Sequence, residues 1–420
     1  MAPTSPFKVI VVGGGPADLT AAHTLYKATI DFVVLERRQE VVIDEGASLV
    51  LGVDTLRIMH QLGLLDKLKA ISSELLILEK YTVDSTQFTT LRHFESMRPS
   101  FGSGPRTFHR AELIRTLYDE LPPSAKAKVL TAKGVTEIES DENGVCVTCA
   151  DGSVYAGSIV MGADSAHSKT RRLMADLSQG PNMAKSPYTI NYRCFWCSFP
   201  KQTPISDIST ETQDQDRSVM YLTGTERSAE EADAFATQFF DFPIMRSLKV
   251  GDVVRQSFTK GMADIEEGIV KHWSWGRVVL VGDACHKFTP NAGLGLNNGV
   301  QGIVVLLNEL RRTIEAVSDG QPSLEKLTKA FQKYRVLQMK PRQANATRSA
   351  QTIGVQTWAN WGYYIFGRYL MQSKPLQWLF NRFLIPKSIQ ESRVLDYVRT
   401  NECFTGTIYL DAPTECVDLA

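Results

Sequence analysis

The chain has 420 residues, 43% of them hydrophobic and 22% charged, and its formal net charge is zero. This length is enough for two or three compact units with their own cores, whereas the balanced charge offers no basic surface and argues against nucleic acid as a partner. There is no apolar run of about 18 residues, and the first predicted strand begins by residue 7. We therefore expect neither a membrane-spanning helix nor a signal peptide, and we predict a cytoplasmic location.

The first motif is KVIVVGGGPADL at residues 8–19. The apolar run at 7–12 predicts a buried strand, and Pro16, directly after three glycines, predicts the start of a helix. Strand, glycine turn and helix in this order are typical of a dinucleotide-binding unit. Gly13 would permit the turn, and Gly15 would let the backbone approach a pyrophosphate at the helix N-terminus.

Two acidic residues bear on this site. Glu36 follows a second predicted strand, Asp31–Leu35, about 20 residues after the glycines, where an acceptor for ribose hydroxyls is expected. Asp18 stands where the third glycine of the turn is usual. Because its carboxylate would lie near bound phosphates, we predict that Asp18 weakens the dinucleotide site without abolishing it.

The cysteines offer two C-x-x-C pairs, Cys146 with Cys149 and Cys194 with Cys197. Both pairs lie in segments that read as strands, in which residues i and i+3 point to opposite faces. Neither pair can then converge on one ion, so no metal site is expected.

Two later strands also end in acidic residues. The apolar runs 159–161 and 278–281 lead to Asp164 and Asp283, respectively. In open α/β sheets ligands bind outside the carboxyl ends of the strands, so both acids and the first glycine turn are predicted to share one crevice.

A second glycine-rich segment follows Asp283. Gly293 and Gly295 would admit a close backbone approach, and a helix is predicted from Asn297 onward. Its N-terminus would offer free N–H groups to an anion. No acid-bearing βαβ unit follows, so a second dinucleotide domain is not expected.

Together, the first glycine turn with Glu36, GADSAHSKTR from Gly162 and GDACHKFTPNAGLGLNNG from Gly282 resemble the class A flavoprotein monooxygenases. These are single-component FAD enzymes of the para-hydroxybenzoate hydroxylase type. The resemblance covers roughly residues 7–345. EGASLVLGVDTLRIMHQLGLLDKL and RTFHRAELIRTLYDEL are similar to the fungal branch that oxidises indole diterpenes, meroterpenoids and related natural products.

The resemblance implies a set of FAD-binding residues: Gly13, Gly15, Glu36, Arg110, Asp164, Asp283, Gly293, Gly295 and Leu296. Glu36 would hold the adenosine ribose, Arg110 the FAD chain and Asp283 the ribityl or pyrophosphate part. Asp164 belongs to a motif tied to both FAD and NADPH, and the backbone at 293–296 would face the flavin. Two departures stand out: Ser165 replaces a usual glycine, and residues near 228–229 look shortened relative to the family.

The resemblance also implies an α/β fold with a Rossmann-like, GR2-type FAD-binding domain, a mixed-sheet substrate domain and a helical C-terminal segment. The predicted parts are 1–80, 105–175 and 275–345 for the FAD-binding domain, 81–104 and 176–274 for the substrate domain, and 346–420 for the C-terminal segment. The last is expected to be helical until about Tyr397, with breaks at Pro375 and Pro386.

The implied function is the oxidation of a hydrophobic fungal secondary metabolite of terpenoid, indole or polyketide type, by epoxidation or hydroxylation. NADPH would be a transient co-substrate, and O2 would be the source of the oxygen atom. TINYRCFWCSF is the candidate pocket wall, with Cys194 and Trp196 on one strand face and Arg193 on the other. Arg193 would either lie over the flavin as a catalytic residue or form a surface ion pair. The alternatives are a phenol hydroxylase, for which His286 could be cited, and a non-oxidative flavoprotein cyclase or isomerase.

Residues 355–384 are rich in aromatic side chains and interrupted by Arg368, Lys374 and Arg382. Such a mixture suits either a helical cap packed on the protein or a segment lying on an intracellular membrane surface. Both interpretations stay open at this point.

Overall fold

The computed structural model of the protein describes residues 6–44, 46–92, 94–95, 97–178, 187–199, 208–222, 236–245, 248–257, 259–380, 383 and 385–410. The segment at 228–229, where the sequence looks shortened, lies outside these residues.

The described residues form 21 strands: β1 Lys8–Val12, β2 Asp31–Leu35, β3 Leu49–Leu51, β4 Ser72–Glu74, β5 Ile77–Thr82, β6 Gln87–Leu91, β7 Arg106–Phe108, β8 Val129–Leu130, β9 Val135–Ser140, β10 Val145–Cys149, β11 Val154–Gly157, β12 Ile159–Gly162, β13 Thr189–Ser198, β14 Ile208–Asp214, β15 Arg217–Tyr221, β16 Pro243–Met245, β17 Leu248–Lys249, β18 Thr259–Ile269, β19 Ser274–Trp275, β20 Val278–Leu280 and β21 His286–Lys287.

They also form 13 α-helices: α1 Pro16–Lys27, α2 Val53–Gln61, α3 Leu65–Ala70, α4 Met97–Phe101, α5 Arg110–Asp119, α6 Pro123–Lys126, α7 Lys169–Leu177, α8 Val250–Arg255, α9 Leu294–Glu315, α10 Leu324–Gln356, α11 Trp361–Ile365, α12 Lys374–Leu379 and α13 Ile385–Gln390. Among the described residues, no helix is both long and apolar enough to cross a membrane.

The central sheet has six strands in the order β19-β20-β12-β1-β2-β8, all parallel except the edge strand β19. Its inner strands are apolar runs; in β1, residues 9–12 are at most 5% exposed. Runs of this kind are typical of a parallel sheet covered on both faces. The strands come from three separate parts of the chain, as a discontinuous Rossmann-like fold requires.

Two further sheets lie outside the central one. The four-stranded sheet β15-β14-β5-β6 is mixed, because β14 and β5 are parallel while the outer pairs are antiparallel. Strands β13, β18 and β21 form an antiparallel sheet beside it. The predicted mixed sheet is thus present. The proposed boundary at residue 80 cuts β5, which pairs throughout with this sheet.

The C-terminal segment differs from the prediction. Helix α10 runs through the proposed boundary at 345 and contains Pro341. Pro375 and Pro386 lie in the first turns of α12 and α13, where proline begins a helix instead of breaking it. The prediction of helix to about Tyr397 is wrong, since helix ends at Gln390.

Beyond Gln390 the backbone is held by side chains of other elements. Gln61 Nε2 donates to the carbonyl of Leu395, and Asn308 Nδ2 donates to that of Val394, each at 2.9 Å. Leu395 is fully buried. These partners satisfy the backbone groups that a helix would otherwise pair.

Candidate active site

The glycine turn follows β1 directly and leads into α1. Gly13 has a φ of +126°, which L side chains rarely adopt, and its N–H donates to the carbonyl of Leu35 at 3.0 Å. A Cβ at Gly14 would lie 2.6 Å from Glu36 Oε2. The backbone and the carboxylate after β2 therefore approach each other more closely than any side chain at Gly14 would allow.

Asp18 points back into this turn and is 3% exposed. Its Oδ2 accepts a hydrogen bond of 2.9 Å from the N–H of Gly15, while its Oδ1 is buried with no hydrogen-bond partner among the described residues. Burial, together with the nearby carboxylates of Glu36 and Asp164, raises the pKa of Asp18 well above its ordinary value, against the effect of the Gly15 hydrogen bond.

Glu36 and Arg110 follow strands of two different sheets, β2 and β7, and both reach the same cavity. Glu36 follows β2, is 8% exposed, and accepts a hydrogen bond of 2.8 Å from the N–H of Arg38. Arg110 is the first residue of α5, and its side chain passes over Gly46, where a Cβ would lie 3.1 Å from Arg110 Cδ. Both side chains line the main cavity.

Asp164 is fixed within its own loop after β12. Its Oδ1 accepts a hydrogen bond from Ser168 Oγ, and its Oδ2 accepts one of 2.8 Å from the N–H of Thr170. The next residue, Ser165, has a φ of +70°. This left-handed conformation favours glycine, the residue that the resemblance leads us to expect there, and it imposes strain on the serine.

Asp283 lies in a 3₁₀ turn after β20 and faces the cavity. Burial raises the pKa of Asp283, although Lys287 and Arg110 oppose the shift. His286, by contrast, is fully buried, stacks on Phe288 with ring centroids 5.4 Å apart, and does not line the cavity. Because its ring does not reach the cavity, His286 is not placed to hold a substrate phenolate.

Helix α9 begins at Leu294, three residues before the predicted start at Asn297. The left-handed Gly293, with a φ of +63°, precedes it and turns the chain so that Gly293, Gly295 and Leu296 all line the cavity. The first N–H groups of a helix have no partner within it. They are therefore directed toward this space as donors.

One cavity of about 1610 Å³ joins these parts. All nine predicted cofactor residues line it: Gly13, Gly15, Glu36, Arg110, Asp164, Asp283, Gly293, Gly295 and Leu296. Pockets for one small ligand commonly measure about 300–1,000 Å³. The cavity therefore has room for a dinucleotide and a second molecule.

The residues around the cavity fit FAD. The N-termini of α1 and α9 both open onto it, which suits a pyrophosphate and a ring system that becomes anionic. Asn298 also lines it, and its buried Nδ2 has no hydrogen-bond partner among the described residues. FAD would be held by Glu36, Arg110 and Asp283 together with these backbone groups. Asp18 opposes an anion at the N-terminus of α1, because its carboxyl group accepts from the N–H of Gly15.

The structure does not bring Arg193 to the cavity. Arg193 Nε donates to Asp264 Oδ1 at 2.8 Å across β13 and β18, and its side chain is 55% exposed. Cys194 and Trp196 do line the cavity. Because neighbouring residues of a strand point to opposite faces, the placement of Arg193 over the flavin is corrected to a surface ion pair.

The pattern of the sequence did not reveal Lys80 and Glu211, which also line the cavity as a buried ion pair. Glu211 lies in ISTETQD, whose polar residues resemble an exposed strand, yet residues 209–213 are at most 1% exposed. No residue spacing signals this burial, because it depends on which elements cover β14.

The C-x-x-C pairs lie in β10 and β13, as predicted, and their cysteines are free thiols. Within the described part of the chain, no group of three His, Cys, Asp or Glu residues is placed to hold a metal ion.

These features define a flavoprotein fold, in which strand ends and two helix N-termini form a dinucleotide site. The chain belongs to the FAD binding domain family, whose family model matches residues 6–323. The predicted family, with FAD as its cofactor, is thereby confirmed.

Several similar proteins come from fungi. The FAD-dependent monooxygenase spyC of Aspergillus fumigatus is 33% identical over an alignment of 345 residues, and the match covers 75% of this chain and 72% of that protein. The FAD-dependent monooxygenase dpchE of Colletotrichum higginsianum is 31% identical over an alignment of 363 residues, and the match covers 78% of this chain and 76% of that protein. They confirm the predicted membership among fungal FAD-dependent monooxygenases.

Solved structures share the fold. Klebsiella pneumoniae HpxO, in complex with FAD and uric acid, superposes with a TM-score of 0.66 over 91% of this chain and 95% of its own, at 20% identity. A salicylate hydroxylase gives a TM-score of 0.65 over 90% of this chain and 96% of its own, at 17% identity. At such identities the likeness shows the fold alone, and it confirms the predicted fold class.

Proposed function

We propose that the protein transfers one atom of O2 to a hydrophobic organic substrate by epoxidation or hydroxylation, while NADPH is oxidised and the second oxygen atom leaves as water. The observation that carries this proposal is the shared cavity, which is lined by the predicted cofactor residues and by apolar side chains of strands outside the central sheet. These apolar side chains include Leu78, Leu91, Cys194, Trp196, Met220 and Ile265.

When bound, FAD would supply the redox chemistry, taking a hydride from NADPH and activating O2. The chain's own contribution is binding, orientation and the exclusion of water. Apolar walls keep water away from the reacting centre. The N–H groups at Gly295 and Leu296 would stabilise negative charge at the adjacent edge of the bound cofactor.

The size and lining of the cavity support a secondary metabolite of terpenoid, indole or polyketide type as the substrate. NADPH would bind transiently, since the sequence carries one dinucleotide-binding unit and that unit serves FAD. Lys133, Lys169 and Arg172 line the cavity and would attract the phosphates of NADPH.

Reduction under anaerobic conditions tests the proposal. The purified protein should show bound-flavin absorption, lose it when NADPH is added without air, and recover it with O2 uptake when air is admitted. A flavin that stays oxidised in the presence of NADPH would instead support the alternative, a non-oxidative cyclase or isomerase. Product structure then separates an epoxide from a phenol.

The segment 355–384 supports a second proposal, contact with a membrane surface. Trp361, Tyr369 and Trp378 are 79%, 59% and 61% exposed, and Lys374 lies among them. Aromatic and basic side chains together suit the interface of an anionic bilayer. Phe380 from the same segment lines the cavity, so a hydrophobic substrate could enter from lipid.

Sedimentation with vesicles containing phosphatidylserine tests this contact. The wild-type protein should co-sediment, and Trp361→Ser with Trp378→Ser should reduce the bound fraction several-fold. If both proteins sediment equally, or if neither sediments, the membrane contact is contradicted. The segment would then be a helical cap packed on the protein.

A further inference from the structure

The mixed four-stranded sheet β15-β14-β5-β6 places one buried ion pair on the cavity wall. Lys80 on β5 and Glu211 on β14 are register partners in parallel strands, so their side chains lie on the same face. Lys80 Nζ is 2.9 Å from Glu211 Oε1, and the two side chains are 4% and 1% exposed. Both residues line the cavity.

Glu211 is held in place by neighbouring amides. Its Oε1 accepts hydrogen bonds from Lys80 Nζ and Gln213 Nε2, and its Oε2 accepts one of 2.8 Å from Gln356 Nε2. Asn291 Nδ2 in turn donates to Gln356 Oε1 at 2.6 Å. A carboxylate has about four acceptor sites. Three donors therefore leave Glu211 one free acceptor site, on Oε2.

Lys80 is less fully bonded. Its ammonium has three N–H donors, and among the described residues Glu211 is its one hydrogen-bond partner. Two donors remain in a side chain that is almost completely buried. Buried donors without acceptors are costly, so this part of the wall is built for an oxygen that the cavity's occupant provides.

Stability does not explain the pair. Replacing a buried ion pair with apolar side chains of similar volume is often neutral or stabilising. Around this pair the wall is otherwise suited to such a replacement, because Leu78, Leu91 and Met220 from the same sheet also line the cavity. The charged groups are therefore better explained by recognition of a polar group than by packing.

We infer that Lys80 and Glu211 bind a hydroxyl group of the substrate, with its oxygen accepting from Lys80 Nζ and its proton donated to Glu211 Oε2. The ligand class is an apolar skeleton that carries one hydroxyl group where it meets this sheet. Both residues are specificity-determining, since they fix the orientation of the substrate against the FAD side of the cavity. This inference rests on the proposed function, because it places the substrate in the same cavity.

Equilibrium dialysis of the FAD-loaded protein against two probes tests the inference. 2-Naphthol has the hydroxyl group, whereas 2-methoxynaphthalene has the same rings with that proton replaced by a methyl group. A hydrogen bond to a charged group is worth enough for roughly a tenfold or greater preference for 2-naphthol. Equal dissociation constants for the two probes would overturn the inference.

The variant Lys80→Met keeps the length of the side chain and removes the donors. It should weaken 2-naphthol about tenfold and leave naphthalene, which has the same rings and no oxygen, within twofold. Lys128→Met is the matched control, because Lys128 forms an ion pair with Asp31 and does not line the cavity. It should change neither constant. Equal weakening of 2-naphthol and naphthalene by Lys80→Met would show a structural effect and contradict hydroxyl recognition.

Two further outcomes are separable. If Lys80→Met does not retain FAD, the preference of the wild-type protein between the probes decides the question alone. Dialysis involves neither NADPH nor O2, so a protein that prefers 2-naphthol but is not reduced by NADPH would refute the proposed oxygenation and leave the hydroxyl site standing.

Discussion

The side chain of Asp18 reaches back to the residue before its own helix, where Oδ2 accepts a hydrogen bond of 2.9 Å from the N–H of Gly15. Gly15 lines the cavity at the N-terminus of α1, the position at which a dinucleotide fold presents N–H donors to a pyrophosphate. Asp18 thus competes with the cofactor for one of these donors.

Asp18→Gly should tighten FAD binding. The change removes a carboxylate that repels the pyrophosphate and frees the N–H of Gly15, and we expect an increase of about tenfold, or ~1.4 kcal/mol. Flavin fluorescence at low salt measures both dissociation constants. Asp18→Asn is the control that removes the charge and keeps the shape. Weaker binding by the glycine variant would mean that the carboxylate helps to hold the cofactor.

FAD affinity should also depend on pH through Asp18. Burial raises the pKa of Asp18, and a bound pyrophosphate would raise it further, so binding takes up a proton and affinity falls as pH rises through the pKa of the free protein. In the apo protein, the contribution of Asp18 to stability is present below the ordinary carboxyl pKa and is lost as pH rises through the raised one. As pH rises from the ordinary carboxyl pKa through the raised one, the free energy of unfolding of Asp18→Asn should therefore increase relative to that of the wild-type protein. Urea titrations at several pH values would show this.

Asp283→Ala should yield folded protein with little bound FAD. The side chain faces the cavity, and burial raises its pKa, so the carboxylate costs the apo protein stability and its loss should not lower the unfolding temperature. The flavin-to-protein ratio after gel filtration is the measurement, with Asp283→Asn as the variant that keeps an acceptor. Full flavin occupancy in the alanine variant would remove Asp283 from the cofactor site.

Glu36→Ala should weaken FAD by about 1–3 kcal/mol, the cost of losing a hydrogen bond to a charged group. Glu36→Gln keeps an oxygen that can accept from Arg38 and from a ribose hydroxyl, so it separates loss of charge from loss of the acceptor. An unchanged dissociation constant for the alanine variant would place the ribose elsewhere.

Arg193→Ala should leave product coupling and flavin content unchanged. Arg193 pairs with Asp264 at the surface, where their side chains are 55% and 47% exposed. Surface ion pairs contribute about 0–1 kcal/mol to the stability of the folded protein. NADPH consumption compared with hydrogen peroxide release tests coupling. A rise in peroxide release would return Arg193 to the active site.

Ser165→Gly should stabilise the protein by up to about 1 kcal/mol, because Ser165 holds a φ of +70° that costs an L residue about 1–2 kcal/mol and glycine far less. Ser168→Gly is a matched control with the opposite sign, since the Ser168 side chain caps α7 by accepting from the N–H of Arg171. Thermal unfolding measures both variants. An unfolding temperature of Ser165→Gly below that of the wild-type protein would contradict this account.

Local patterns predicted several of the residues that line the cavity. The glycine turn, the start of α1 at Pro16 and the position of Glu36 after β2 all follow from short segments whose strand, turn and helix signals agree. Parallel strands place their carboxyl ends at one edge, so Asp164 and Asp283 could be assigned to the same crevice before any contact was known.

The substrate half depended on tertiary structure. Alternation along β13 separated Arg193 from Cys194, but only packing against β18 decided that Arg193 faces solvent. The burial of Lys80 and Glu211 arises from pairing between strands about 130 residues apart, where a polar alternating sequence reads as exposed until its covering elements are known. Short-range signals fix backbone geometry, because they act within a few residues. Which face of a strand becomes a cavity wall is set by long-range contacts, and no local pattern records them.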